Sequence, residues 1–158
     1  MGDAVIAVHA FLGTAALGLG LTALRARKRR GRHTRVGEIY VWTMLPLLAA
    51  GVVIGARDPA ISPFEIAVFP TAIPLLVGYL ASKERRSWLG RPWLAWHIGG
   101  MGGSFIGVVT AGLFQFVLRA APASPIVITL TFALPTIVGS VLIARAVERR
   151  TRRRLVAG

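Results

Sequence analysis

Five stretches free of charged residues divide the chain: Ala4–Leu24, Ile39–Ala56, Ile66–Ser82, Pro92–Leu118 and Ala120–Ala144. A helix rises about 1.5 Å per residue, so about 20 residues cross a hydrocarbon layer about 30 Å thick. Each stretch reaches or approaches that length. The pattern therefore predicts an all-α integral membrane helical bundle of five transmembrane helices, over residues 4–24, 39–56, 66–82, 92–118 and 122–144, forming one transmembrane domain over residues 1–158. The third span is the shortest, and Pro70 and Pro74 remove two of its backbone donors. It is expected to bend, with neighbouring helices covering the released carbonyls. Pro46, Pro74 and Pro135 are read as fixed bends rather than hinges.

Charge gives these spans a direction. The segment RARKRRGRHTR at residues 25–35 carries Arg25, Arg27, Lys28, Arg29, Arg30, Arg32 and Arg35. Lys83, Arg85, Arg86 and Arg91 follow the third span, and the tail holds Arg145, Arg149, Arg150, Arg152, Arg153 and Arg154. With five crossings, these three segments share one side and hold seventeen of the nineteen basic residues, leaving Arg57 and Arg119 opposite. The positive-inside rule makes that side cytoplasmic. The expected topology is N-terminus outside and C-terminus cytoplasmic, in the cell membrane. A cleaved signal peptide has its charge before the apolar run; here Asp3 precedes it and arginines follow, so the first span is expected to remain as an anchor.

Composition agrees with a lipid solvent: 54% of residues are apolar, 16% are charged and mean hydropathy is +0.65, despite a net charge of +13. The charge asymmetry accounts for the arginines without a nucleic-acid partner. The expected partners are the bilayer itself, including anionic headgroups on the cytoplasmic side, and other membrane subunits or further copies of the chain. With no cysteine, there is neither a disulfide framework nor a thiolate metal site. GLGLTA at residues 18–23 has the loose spacing of a dinucleotide fingerprint but ends a membrane-spanning run instead of following a strand. The chain has no HExxH, no phosphate-binding Gly-Lys-Ser loop and no GxSxG elbow, which excludes the hydrolases and kinases that depend on them.

Polar groups are scarce within the spans. Asp3, Glu38, Asp58, Glu65, Glu84 and Glu148 all fall at span edges or in loops; asparagine is absent and Gln115 is the sole glutamine. Ion-coupled carriers usually hold a carboxylate near mid-membrane, so that class is disfavoured. Trp88, Trp93 and Trp96 flank the cytoplasmic start of span four, as an interfacial belt or as an aromatic cage.

His9 and His97 lie inside spans, and His33 lies just before span two. Each can serve as a packed histidine bonding across helices or as an axial ligand of haem b. His9 and His97 are expected to differ in depth by roughly 15 Å, too much to share one haem. His33 and His97, both on the cytoplasmic side, are the better-matched pair for such an iron, with arginines near the propionates. Glu38 is placed to pair with Arg35 or His33 at the interface. In span four Gly99, Gly103, Gly107 and Ala111 recur every four residues as a smooth ridge, with His97 and Ser104 on one face. Span one has Gly13, Ala16 and Gly20 with His9 on the same stripe, which predicts tight packing of spans one and four.

HAFLGTAALGLGLTALRARKRRG, HTRVGEIYVWTM and WLAWHIGGMGGSF together resemble a family of small bacterial predicted membrane proteins defined only as domain of unknown function 2306. The likeness extends over roughly residues 9–115, with HTRVGEIY similar to the family's His-x-Arg-x-Gly-x-x-Tyr pattern. It implies the multi-span architecture and singles out His9, His33, Arg35, Gly37, Tyr40, His97 and Ser104, without importing an activity. VGYLASKERR departs from it, standing where the family tends to have a longer polar insertion. Two function classes follow: a non-enzymatic membrane subunit or scaffold, and a b-type haem-binding or quinone-handling redox protein using His33, His97 and His9. A transporter or channel for an uncharged solute is the third.

Overall fold

The computed structural model describes residues 2–27, 31–56, 63–120 and 124–156. Lys28, Arg29, Arg30, Arg57 and Asp58 lie outside them, as do the side chains of Glu65, Arg152, Arg153 and Arg154. The described residues form five helices: α1 (Gly2–Arg25), α2 (Arg32–Gly55), α3 (Pro63–Glu84), α4 (Trp93–Ala120) and α5 (Pro125–Val156). Among them there is no strand beyond an isolated bridge between Trp88 and Arg91. Four helices are long and apolar enough to cross a membrane, over Asp3–Arg25, Arg32–Gly55, Trp93–Ala120 and Pro125–Arg150.

The helices outrun the uncharged stretches at their basic ends. α2 starts at Arg32, seven residues before Ile39, and α5 continues to Val156. Arginine, lysine and glutamate are good helix formers, and basic side chains can follow a helix surface while their heads stay hydrated. Hydrophobicity therefore marks the lipid-facing length and not the helix end. α3 and α5 both open on proline, where the missing N–H would be unpaired anyway. Ser124 caps α5, its Oγ accepting from the Val127 N–H at 3.3 Å. Pro46, Pro70, Pro74 and Pro135 all lie within continuous helix.

Two compact units are present, residues 1–69 and 70–158. In the first, α1 and α2 pack antiparallel. Gly13 faces Leu47 and Gly51 faces His9, while Ala16, Tyr40 and Met44 are buried in the seam. In the second, α4 has two glycine faces. A Cβ on Gly100 would strike the backbone of Gly78 and the Pro74 carbonyl; one on Gly103 would press on Pro74 at 3.2 Å, and one on Gly107 would strike Thr71. The resulting antiparallel register pairs Gly100 with Gly78, Gly103 with Pro74 and Gly107 with Thr71. On its other face α4 meets α5 reciprocally: Ile143 lies over Gly102 and Ile106 over Gly139, with Phe114 and Phe132 in tilted contact at 5.2 Å.

Much of the remaining surface is apolar, as with Phe11 (73% exposed), Phe116 (69%) and Ile126 (72%). Small residues thus fill the seams and large ones face outward, a distribution suited to lipid, where tight backbone approach replaces the hydrophobic drive to associate.

Candidate functional site

The candidate residues fall into two groups, one in each unit. His33, in the first turn of α2, donates from Nδ1 to the Ala23 carbonyl at 3.0 Å. Ala23 lies in the last turn of α1, where carbonyls run out of helical donors. The contact ties the end of one helix to the start of the next. Nearby on α2, Arg35 is exposed, Glu38 is half-buried, and Tyr40 is buried against α1 at 2% exposure. His9 lies farther along the seam, half-buried beside Gly51.

His97 is held in the second unit by the same device. Its Nδ1 donates to the Gly78 carbonyl at 2.9 Å. The glycine seam makes this reach possible: His97 and Gly100 are three residues apart, on one face of α4, and the Gly78–Gly100 approach brings the two backbones together. The Trp93 ring lies 6.3 Å from the imidazole, tilted by 45°. Ser104 is fully buried, and its hydroxyl is satisfied within its own helix by the Met101 carbonyl at 2.9 Å. Thr110 is also buried, and its Oγ1 has no hydrogen-bond partner among the described residues.

Because a carbonyl can only accept, the Nδ1 of both His33 and His97 carries the proton, so the neutral ring has its lone pair on Nε2. Metal-ligating imidazoles are oriented in this way, with the second nitrogen donated to a carbonyl or carboxylate. The donor set thus fits an axial ligand at each histidine separately. Among the described residues no three histidine, aspartate or glutamate side chains are grouped to hold a metal ion.

Gly99, expected on the packing ridge, has open space where its Cβ would be; Gly100 is the residue at the crossing. Gly13 meets Leu47, and Gly20 is buried. The seam residues Gly78, Gly102 and Gly139 escaped the sequence reading. For Gly78 and Gly139 the only signal is a lone glycine amid apolar residues, in LVGYL and TIVGSV, whereas Gly102 lies in the GGMGG cluster, where spacing does not select a face.

Between α3 and α4 the chain forms a tight hairpin. Trp88 and Arg91 exchange backbone hydrogen bonds of 3.1 and 2.9 Å around Leu89 (φ 48°) and Gly90 (φ 72°). Two left-handed central residues make the mirror-image turn that such two-residue loops favour. Glycine enters that region freely, whereas for leucine it costs about 1–2 kcal/mol. Trp96 Nε1 donates to the Trp88 carbonyl at 2.9 Å, fastening the hairpin to α4. Cations line it: Lys83 lies 5.1 Å from the Tyr79 ring, Arg85 lies 5.8 Å from Trp93, and Arg86 lies 6.0 Å from Trp88 and pairs with Glu84 at 2.7 Å.

No protein-family model, curated protein or solved structure matches the chain.

Proposed function

We propose that this chain is a five-span protein of the cytoplasmic membrane, N-terminus outside, acting as a non-enzymatic membrane subunit or scaffold. The observation that carries the scaffold reading is the use made of its histidines: His33 and His97 each commit Nδ1 to tying one helix to the next, at Ala23 and Gly78. The apolar exterior of the helices supplies the surface for lipid or for a partner helix. Two considerations support α3 as the fifth crossing. It lies antiparallel on α4 from Thr71 to Gly78, and α4 is long and apolar enough to span. Only a crossing there puts residues 83–91 and the basic tail on the same side as residues 25–35.

A second reading, b-type haem binding with quinone or electron handling, draws on the same Nδ1 geometry, which presents Nε2 as the ligating position. One measurement separates the two. The scaffold reading expects the detergent-purified protein to lack a Soret band and to crosslink to a membrane partner or to itself. A stoichiometric Soret band that disappears in His33→Ala or His97→Ala overturns it in favour of haem.

A further inference from the structure

We propose that the hairpin joining α3 and α4 is a preformed binding site for anionic phospholipid headgroups, with Leu89 seated among the acyl chains. The inference rests on the membrane reading above and names a lipid class and a place for it. Leu89 is 90% exposed, and its left-handed backbone is held by the reciprocal Trp88–Arg91 hydrogen bonds and by the Trp96 indole. The chain thus fixes a large apolar side chain at the tip of a rigid turn and gives it no protein contact of consequence. Behind the tip stand Lys83, Arg85, Arg86 and Arg91, all exposed, against a single carboxylate, Glu84. The Glu84 contact engages Nε of Arg86. Arg85 and Arg86 lie near tryptophan rings, and their planar guanidinium groups have N–H edges that match phosphate oxygens. The hairpin thus brings together an apolar side chain, tryptophan rings and cationic groups, the three chemistries that a membrane interface accommodates. Charge complementarity selects an anionic leaflet as the occupant.

Tryptophan fluorescence tests the inference. Trp88, Trp93 and Trp96 surround the hairpin, so a Trp42→Phe variant reports from this site alone. It is reconstituted in mixed phosphatidylcholine and phosphatidylglycerol vesicles, with bromine on the acyl chains of one lipid or the other at equal mole fraction. Brominated phosphatidylglycerol is expected to be preferred about fivefold, the enrichment one well-placed cation provides. The preference disappears when Arg85, Arg86 and Arg91 are all changed to glutamine, and persists when Arg149 and Arg150 are changed instead. Leu89→Asp weakens quenching by both lipids. Inorganic phosphate leaves the quenching unchanged. Equal quenching by the two lipids, loss of preference in the tail variant, a preference surviving the hairpin variant, or competition by inorganic phosphate each overturns the proposal. If the protein floats with the vesicles but neither lipid quenches, the hairpin site fails and the membrane reading stands; if it does not float, both fail.

Discussion

Adjacent glycines on α4 should respond oppositely to one methyl group. In Gly100→Ala, the new Cβ sits 2.5 Å from Gly78 Cα and from the Pro74 carbonyl oxygen, and closer still to Gly78 N. These are backbone atoms, which cannot rotate away. Carbon contacts are optimal at about 3.5–4.0 Å, so α3 and α4 must separate by about 1 Å, forfeiting a quarter to a half of each dispersion contact along the seam. Overpacking of this kind costs about 1–3 kcal/mol. The same displacement stretches the His97–Gly78 hydrogen bond, now 2.9 Å, and interhelical bonds in membranes contribute about 0.6 kcal/mol on average. Alanine's higher helix propensity offsets up to about 1 kcal/mol, leaving a net loss of about 1–3 kcal/mol. Gly99→Ala meets nothing within 4 Å and should be neutral or stabilising. Equilibrium unfolding in mixed micelles with increasing dodecyl sulfate, followed by far-ultraviolet circular dichroism, compares the two directly. If Gly100→Ala unfolds at the same dodecyl sulfate fraction as Gly99→Ala, the α3–α4 seam is wrongly described.

The α4–α5 face makes a rescue testable: Gly102→Ala, whose Cβ meets Ile143 Cδ1 and Cγ1 at 2.7 Å, should lose about 1–3 kcal/mol. The loss should disappear in an Ile143→Ala background, and additive effects in a double-mutant cycle would refute the contact. His33→Ala should destabilise by about 0.5–1.5 kcal/mol in the same unfolding assay, with His33→Asn recovering part, because an amide can still donate to Ala23; equal losses in both variants would mean that the hydrogen bond contributes nothing. Topology predicts that a reporter active only in the cytoplasm works when fused after Gly90 or Gly158, and that one active only outside works after Ala56. Activity of the outside reporter after Gly90 would remove α3 from the set of crossings.

How legible these features were depends on what sets them. Apolar runs locate a helix when its neighbours are lipid: α1 and α3 contain the expected stretches, α2 and α4 match theirs to within one residue at one end, and α5 begins at Pro125, later than the expected start. Their charged extensions, such as Arg32–Glu38 at the start of α2, were invisible to hydrophobicity because an interfacial helix needs none. The glycine ridge was read correctly at Gly103 and Gly107 but started one residue early, at Gly99 instead of Gly100, for a different reason. With glycines at 99, 100, 102 and 103, small-residue spacing admits several faces, and only α3, through Gly78, Pro74 and Thr71, selects the one containing Gly100. The partners of His33 and His97 were likewise hidden, since a backbone carbonyl leaves no side-chain signature. Leu89 is the hardest case: its left-handed conformation runs against leucine's own preference, and nothing local in SWLGRPW announces it.

The two prolines inside α3, Pro70 and Pro74, have a consequence for how the chain is made. Until Gly100 and its neighbours emerge from the ribosome, α3 lacks the glycine-lined helix it packs against, while Pro70 and Pro74 have removed two of its own backbone donors. With α3 as the proposed fifth crossing, a lone α3 would be a poor substrate for lateral release into the bilayer, and the insertion machinery would hold it until α4 has been synthesised. The hairpin between them is short enough for the two to leave the channel together, so biogenesis of this protein should proceed by pairs and not one segment at a time.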